Sequence, residues 1–298
     1  MLRILACLLA VVAAAPAQTV KSLKIQVLST MLTADTGIGE WGFAAMVDVD
    51  GHRILFDTGA RPDTVLNNAR ELKVDLNGVP DLILSHNHGD HTGGLNTLRQ
   101  NFPQSFTILH VGKGITYPRK PRTLSLSTYT GHIVEYDQPT QLYPGVWLTG
   151  PVPRKYPERN WSGSGQVQTP DGWVEDNLPE DMSLVFNTNN GLILLSGCGH
   201  AGVINTVDYA REKIRKAPLY AAIGGFHLYA LDDAKLDWTA GKLREFGLRN
   251  FLGAHCTGIE AVQRIRQLTG LTRKTASVGA VGAVFELGKP MDPGSIAR

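Results

Sequence analysis

The chain has 298 residues, 43 % of them hydrophobic, and its 29 lysines and arginines nearly balance its 27 aspartates and glutamates, for a net charge of +2. This length and apolar content predict one large α/β domain with an ample core. The sequence has no lysine-rich tail and no dense basic run, so nucleic acid is not an implied partner. The expected partner is a small-molecule substrate.

Residues 1–17 are typical of a secretory signal. Arg3 precedes an apolar run over residues 4–14, and Ala15-Pro16-Ala17 supplies small residues at the spacing of a signal-peptidase site. The run is well short of the roughly 20 residues needed to span a bilayer, so no membrane span is predicted. We therefore expect cleavage after Ala17, export to a periplasm or the medium, and a mature domain over residues 18–298.

The first half of that domain begins with a predicted hairpin, Ala44–Val49 and residues 53–56, around Asp50-Gly51. A helix follows Pro62, and Asp81–Leu84 has the length and composition of a buried strand. Directly after it comes His86-Asn87-His88-Gly89-Asp90-His91. Alternate side chains of an extended chain share one side, so His86 and His88 can approach one cation. Three imidazoles and a carboxylate suit zinc, and two ions about 3.5–4 Å apart could share this motif if later segments add ligands.

Residues 112–180 separate the two halves and show few clear elements, which is typical of a functional lid or substrate segment. Arg119 and Arg154 are the predicted substrate-binding residues in it, because a guanidinium suits a phosphate or carboxylate. A solvated basic face is the alternative interpretation of the same arginines.

The second half repeats the order of the first. Residues 183–186 and 192–195 flank the turn Asn189-Asn190-Gly191, and a helix, the strand 219–223, a second helix and the strand 250–254 follow. Each strand leads to a histidine or cysteine motif. Two such halves predict an α/β fold of two sheets between two helix layers, with strand ends from both halves meeting in one crevice.

The motifs at these strand ends resemble those of the metallo-β-lactamase fold superfamily. They are His-Asn-His-Gly-Asp-His-Thr-Gly-Gly, then residues 54–59, 196–202, 224–228 and 255–258, in that order. Together they are similar to the branch named after the dihydropterin and ribofuranosylaminobenzene 5'-phosphate synthase. The resemblance covers roughly residues 22–288, and it implies a four-layer αββα metallo-β-lactamase-like sandwich.

The resemblance also implies metal ligands. His86 and His88 would hold one metal, while Asp90, His91 and His255 would hold the other. Cys198 stands where many relatives have a bridging Asp and where true metallo-β-lactamases have a Cys ligand; His200, two residues on, is another candidate ligand. The usual third histidine of the first metal would fall near residues 179–181, where this chain has only carboxylates, so Asp181 becomes a candidate ligand or proton carrier.

Three further roles complete the predicted site. Asp57 is expected to accept a hydrogen bond from a ligand histidine and so orient it. Asp90 is the candidate for orienting a nucleophilic water, and His227 for a general acid or substrate donor, with a core histidine as the alternative for His227.

These roles predict an exported metal-dependent hydrolase of a small ester or phosphoester, with two Zn²⁺ ions expected and Mn²⁺ or Fe²⁺ as alternatives. β-Lactams are less favoured, because the usual third histidine is missing. A transferase of the synthase type and a non-catalytic exported metal-binding protein are the alternatives.

Overall fold

The computed structural model describes residues 18–121, 123–160 and 165–297. The predicted signal peptide lies outside these residues, as do Arg122 and residues 161–164. Among the described residues, no helix combines the length and apolarity that a membrane span requires.

Seventeen strands and six α-helices make up the described structure. The strands are β1 Leu23–Ser29, β2 Ala44–Val49, β3 His52–Phe56, β4 Asp81–Leu84, β5 Ile108–Gly112, β6 Arg119–Lys120, β7 His132–Tyr136, β8 Thr140–Tyr143, β9 Val146–Leu148, β10 Gln166–Thr169, β11 Gly172–Glu175, β12 Leu184–Thr188, β13 Gly191–Ser196, β14 Leu219–Gly224, β15 Asn250–Gly253, β16 Ala276–Val278 and β17 Val284–Glu286. The helices are α1 Thr64–Glu71, α2 Gly89–Thr92, α3 Leu95–Asn101, α4 Val203–Lys213, α5 Asp233–Glu245 and α6 Ile259–Thr269.

Two seven-stranded sheets form the centre of the fold. The first has the order β17-β1-β2-β3-β4-β5-β7 and the second β16-β15-β14-β13-β12-β9-β8. Strands β3, β4 and β5 run parallel in the first sheet, and β13, β14, β15 and β16 run parallel in the second. Parallel neighbours end at the same edge of a sheet, so the residues that follow them are brought together.

Three apolar clusters define the layers. Ile25, Phe56 and Ile83 of the first sheet pack with Phe186 and Ile223 of the second in the core between the sheets. On the outer face of the first sheet lie α1 and α3, and on the outer face of the second lie α4, α5 and α6, each helix contributing its buried apolar side chains. The four-layer αββα sandwich predicted from the sequence is confirmed.

The helical region that contains the end of the histidine motif is interrupted at Gly93-Gly94, between α2 and α3. A Cβ at Gly93 would lie 1.9 Å from the Ala60 carbonyl oxygen, and one at Gly94 2.3 Å from that of Thr58. The chain therefore packs backbone against backbone here, and this close approach holds the histidine motif against the end of β3.

The prediction of an irregular segment over residues 112–180 is wrong in its local structure. Strand β7 joins the first sheet, β8 and β9 join the second, and β6, β10 and β11 form a separate three-stranded sheet. These strands are two to five residues long, too short for a clear pattern. One signal was present: Pro170-Asp171-Gly172 is a turn sequence, and it joins β10 to β11.

Candidate metal centre

Ligand-type side chains from both sheets meet at the ends of the parallel strands. Asp57 follows β3, the histidine motif follows β4, and Cys198, His227 and His255 follow β13, β14 and β15. Asp57, His227 and His255 all have a positive φ, at 59°, 48° and 46°. Residues other than glycine rarely take this conformation, and such residues are enriched at active sites and ligand-binding sites.

Three groups of side chains have the geometry to hold a cation. In each, the ligand-type atoms lie within 4.8 Å of one another. The groups are Asp90, His91, Cys198 and His255; His86, His88 and His200; and Cys198, His200 and His227. Every metal ligand predicted from the sequence, except the candidate Asp181, falls in at least one of them. His200 lies beside His86 and His88 and supplies the third histidine that the sequence motif lacks near residues 179–181.

The first group lies on one side of Cys198. The Cys198 Sγ is 3.1 Å from His91 Nε2, and His255 Nε2 is 3.3 Å from Asp90 Oδ2. The Asp90 side chain keeps 19 % of its surface exposed, while those of His91 and His255 have none. Asp90 is therefore the member of this group that a water or substrate can reach.

Asp57 holds His91 in place. Its Oδ2 accepts a hydrogen bond from His91 Nδ1 at 2.7 Å, which turns Nε2 toward the group, and the same carboxylate accepts from Ser85 N and Ser85 Oγ at 2.7 and 2.8 Å. A Cβ at residue 197 would lie 2.5 Å from Asp57 Oδ2 and 2.3 Å from Ser85 Oγ. Gly197 is thus the residue that leaves room for this buried carboxylate.

In the second group, His86, His88 and His200, two rings are oriented by contacts at Nδ1, the nitrogen opposite the one that would bind a metal. Ser85 Oγ lies 2.8 Å from His86 Nδ1, and the Asn160 carbonyl oxygen lies 2.5 Å from His200 Nδ1. For the buried Nε2 atoms of His86 and His200, no hydrogen-bond partner is found among the described residues. A buried ring nitrogen without a partner costs free energy, so a cation between these rings fits the donor set.

The charge states of His86, His88 and His200 agree with a role as metal ligands. Burial, and then the neighbouring histidines, hold the pKa of His86 and of His200 well below the usual value, and burial lowers the pKa of His88 to about 4. These rings are neutral at pH 7, the state in which imidazole binds a metal. Burial also lowers the pKa of His91, but the charge and hydrogen bond of Asp57 outweigh it and raise that pKa to about 9.

Cys198 belongs to both the first and the third group, so it lies close to the first group and to His200 of the second. Its Sγ is 3.2 Å from Cys256 Sγ, and Cys256 Sγ accepts a hydrogen bond from His227 N at 3.2 Å. Burial raises the pKa of the Cys198 thiol. A bound cation would offset that cost by favouring the thiolate.

Two other predicted residues lie next to these groups. Asp181 Oδ2 accepts a hydrogen bond at 2.8 Å from the backbone N of Ala201, the residue after His200. Burial raises the pKa of Asp181 to about 7. Among the described residues it is in none of the three groups, so its role as a ligand or proton carrier stays a prediction. The His227 ring is 4.6 Å from the His200 ring and lines an adjoining cavity.

The geometry of Arg119 contradicts the prediction that it binds a substrate anion. Its Nε donates to Asp176 Oδ2 at 2.7 Å and its Nη2 to Glu180 Oε2 at 2.5 Å, and only 4 % of the side chain is exposed. The guanidinium of Arg119 is therefore already paired with two carboxylates of the protein. Arg154 donates to the carbonyl oxygens of Asn177 and Leu178, and its role toward a substrate stays a prediction.

Several residues at the site were not predicted from the sequence. Ser85 orients both Asp57 and His86, and its place directly before the histidine motif was the available signal. Trp41 and Tyr229 gave no signal, because they are far apart in sequence; their rings lie 5.3 Å apart, and that of Trp41 is 5.1 Å from His255.

Comparisons with known proteins agree with this geometry. The family model of the metallo-beta-lactamase superfamily matches residues 42–173, which include the histidine motif. The 7,8-dihydropterin-6-methyl-4-(beta-D-ribofuranosyl)-aminobenzene-5'-phosphate synthase of Methanocaldococcus jannaschii is 28 % identical over 241 residues, covering 74 % of this chain and 82 % of that protein.

Solved structures show the same fold. Tm1679, a metal-dependent hydrolase of the beta-lactamase superfamily, has a TM-score of 0.74 and 26 % identity, and the likeness covers 90 % of this chain and all of that one. Zn²⁺-bound PqqB from Methylobacterium extorquens has a TM-score of 0.55 and 14 % identity over 89 % of this chain and all of that one, which is a likeness of fold alone.

Proposed function

We propose that this chain, a metallo-β-lactamase-fold protein, is a metal-dependent hydrolase of a small ester or phosphoester that works with two zinc ions. The observation that carries the proposal is the closeness of two ligand groups linked by Cys198 and His200, one made of three imidazoles and one containing the accessible Asp90. Nitrogen, sulfur and carboxylate donors in this mixture suit Zn²⁺ better than a hard cation, with Mn²⁺ or Fe²⁺ as alternatives.

Two such cations would supply Lewis acidity and a water acidic enough to lose its proton near neutral pH. The protein's own groups then have separate tasks. Asp90 accepts a hydrogen bond from the attacking water and orients it. The His227 ring lies 4.6 Å from the His200 ring and lines a cavity. From there it can give a proton to the departing alcohol.

A transferase activity is the second candidate, supported by the likeness to the synthase over 82 % of that protein. Export supports the hydrolase instead, because a pterin-type precursor would be expected in the cytoplasm. Export itself remains a proposal that rests on residues 1–17. A non-catalytic exported metal-binding protein is the third candidate, and the exposed part of Asp90 argues against it, since a structural site has no need of an open position.

The test is a substrate panel on the metal-loaded chain, with a carboxylic ester, a lactone, a β-lactam, a phosphomonoester and a phosphodiester. We expect hydrolysis of an ester or phosphoester, its loss in His255→Ala, and its retention in His132→Ala, where the replaced histidine is exposed on β7. Formation of a dihydropterin–aminobenzene product without any hydrolysis would favour the transferase. A fully loaded protein that converts nothing would favour the binding protein.

A further inference from the structure

A cavity of about 360 Å³ opens directly beside the third ligand group. It lies between residues 157–160, the connection from β14 to α5, and the first turns of α5. Its lining includes His227, Asn160, Glu158, Tyr229, Leu231 and Trp238. His227 belongs both to this lining and to the group with Cys198 and His200, so the cavity and the metal centre share a wall.

The apolar side of the cavity is aromatic. Trp238 on α5 packs against Tyr156 with ring centroids 6.0 Å apart, and Tyr229 meets the edge of His227 at 5.3 Å. Tyr229 keeps 50 % of its surface exposed, and Trp41, whose ring lies 5.3 Å from that of Tyr229, keeps 46 %. Exposed aromatic surface in or beside a concave site is typical of ligand binding.

The charged side chains of the cavity are already paired within the protein. Lys235 Nζ lies 2.8 Å from Asp232 Oδ2, and Arg159 pairs with Glu175. The Glu158 carboxylate accepts from Ile204 N and Asn205 N at the start of α4. Within the described lining, no buried lysine or arginine is available to pair with a substrate anion, whereas an uncharged ring would cover apolar surface.

One residue of the lining, His227, also has a polar atom without a partner among the described residues. The Nδ1 of His227 is buried, and no hydrogen-bond partner for it is found in the described part of the chain. The ring to which it belongs is 4.6 Å from the ring of His200. A substrate whose apolar end fills the cavity would therefore place its polar, reacting end beside His227.

We propose that this cavity binds an uncharged aromatic group of the substrate, and that the substrate is a carboxylic ester carrying that ring. The inference rests on the proposed hydrolase function and narrows it. Water adds to the acyl carbon, the bond from that carbon to the alkoxy oxygen breaks, and a proton passes to the departing oxygen, giving one carboxylic acid and one alcohol. A volume of 360 Å³ is near the lower end of the roughly 300–1,000 Å³ of ligand pockets, which suits a one-ring group with a short linker.

The experiment compares benzyl acetate with ethyl acetate on the metal-loaded protein. The variants are Trp238→Leu and Tyr229→Leu, and the control is Trp173→Leu, since Trp173 is 41 % exposed on β11 and is absent from this lining. We expect at least a threefold rise in KM for benzyl acetate in both cavity variants, with KM for ethyl acetate and the control unchanged. Equal effects on the two esters, or none, would overturn the proposal.

A binding measurement separates this proposal from the hydrolase function. Ligand-observed NMR can follow benzyl alcohol and benzoate on the same proteins without any turnover. We expect benzyl alcohol to bind the wild type at least threefold more tightly than either cavity variant, and more tightly than benzoate. If the wild type hydrolyses no ester yet shows this pattern, the proposed function fails and the cavity assignment stands; if benzyl alcohol binds all variants alike, the assignment fails. Tyr229 is half exposed, so its variant is expected to fold even if Trp238→Leu does not.

Discussion

Asp57→Asn tests whether Asp57 positions His91 as a ligand in the first group, with Asp90 and His255. The carboxylate is fully buried and accepts three hydrogen bonds, two from Ser85 and one from His91. An amide keeps one oxygen for Ser85 N, and Ser85 Oγ can turn to accept instead of donating. The bond to His91 Nδ1 is lost, because the amide nitrogen cannot accept it.

The expected cost follows from that one bond. A hydrogen bond to a charged group contributes about 1.5–3 kcal/mol, so the free energy of unfolding of the metal-free protein should fall by about that amount. Loss of a carboxylate behind a ligand histidine typically lowers metal affinity by about 10- to 100-fold. We expect this loss at the position of Asp90, His91 and His255, while the position of His86, His88 and His200 keeps its affinity.

The assay is a competition titration of Zn²⁺ against a chelator at pH 9. The pH matters because Asp57 raises the pKa of His91 to about 9. Below that pH a proton on His91 competes with the metal in the wild type, and removing Asp57 would relieve the competition and mask the loss. Chemical unfolding of the metal-free proteins gives the stability change separately.

The matched control is Asp81→Asn. Asp81 is also buried and bonded to a histidine, with Oδ1 2.8 Å from His110 Nε2 and Oδ2 accepting from Tyr143 at 2.6 Å, yet it begins β4 rather than following a strand end. It should lower stability to a similar extent and leave both zinc affinities unchanged. Equal loss of zinc in both variants, or wild-type affinity in a folded Asp57→Asn, would refute the reasoning.

Three further predictions concern the ligands, the cavity wall and the N-terminus. His200→Ala should lose one metal and most activity, while the outcome of Cys198→Ser decides whether the thiolate is a ligand; unchanged metal content and activity there would exclude it. Burial raises the pKa of Glu158 from 4.5 to about 7, so the contribution of its protonated form to stability is complete below pH 4.5 and is lost as the pH rises to 7. Relative to Glu158→Gln, the free energy of unfolding of the wild type should fall by about 3 kcal/mol over that range. Parallel pH profiles of unfolding for the two proteins would contradict this. Intact-mass analysis of exported protein should show Gln18 as the first residue, and exported chain that retains Met1 would contradict cleavage.

The parts of the fold that were predictable are those whose signals are local. The strand Asp81–Leu84 and the hairpin of β2 and β3 are mainly apolar runs bounded by turn residues, and the structure has them at nearly the predicted bounds. Strands β6 and β7 are short and partly exposed, and their formation depends on pairing with β10 and β5, which are not their neighbours in the chain. A pattern in a single segment does not contain that information.

The same distinction applies to the site. His86, His88, Asp90 and His91 are close in sequence, so their meeting follows from the chain itself. The pairing of Arg119 with Asp176 and Glu180 joins residues far apart in the chain, and the sequence could suggest only that the arginine was available. The contact of Tyr156 with Trp238, which lines the cavity, likewise arises from the packing of α5 on the second sheet.

The proposed metal centre has two positions, linked by Cys198 and His200. A crystal structure of the zinc-loaded protein, with anomalous differences measured at the zinc absorption edge, tests it most directly. We predict two peaks about 3.5–4 Å apart, as in other two-metal sites. One should be bounded by His86, His88 and His200, and the other by Asp90, His91 and His255. A single peak, or peaks away from these side chains, would contradict the account.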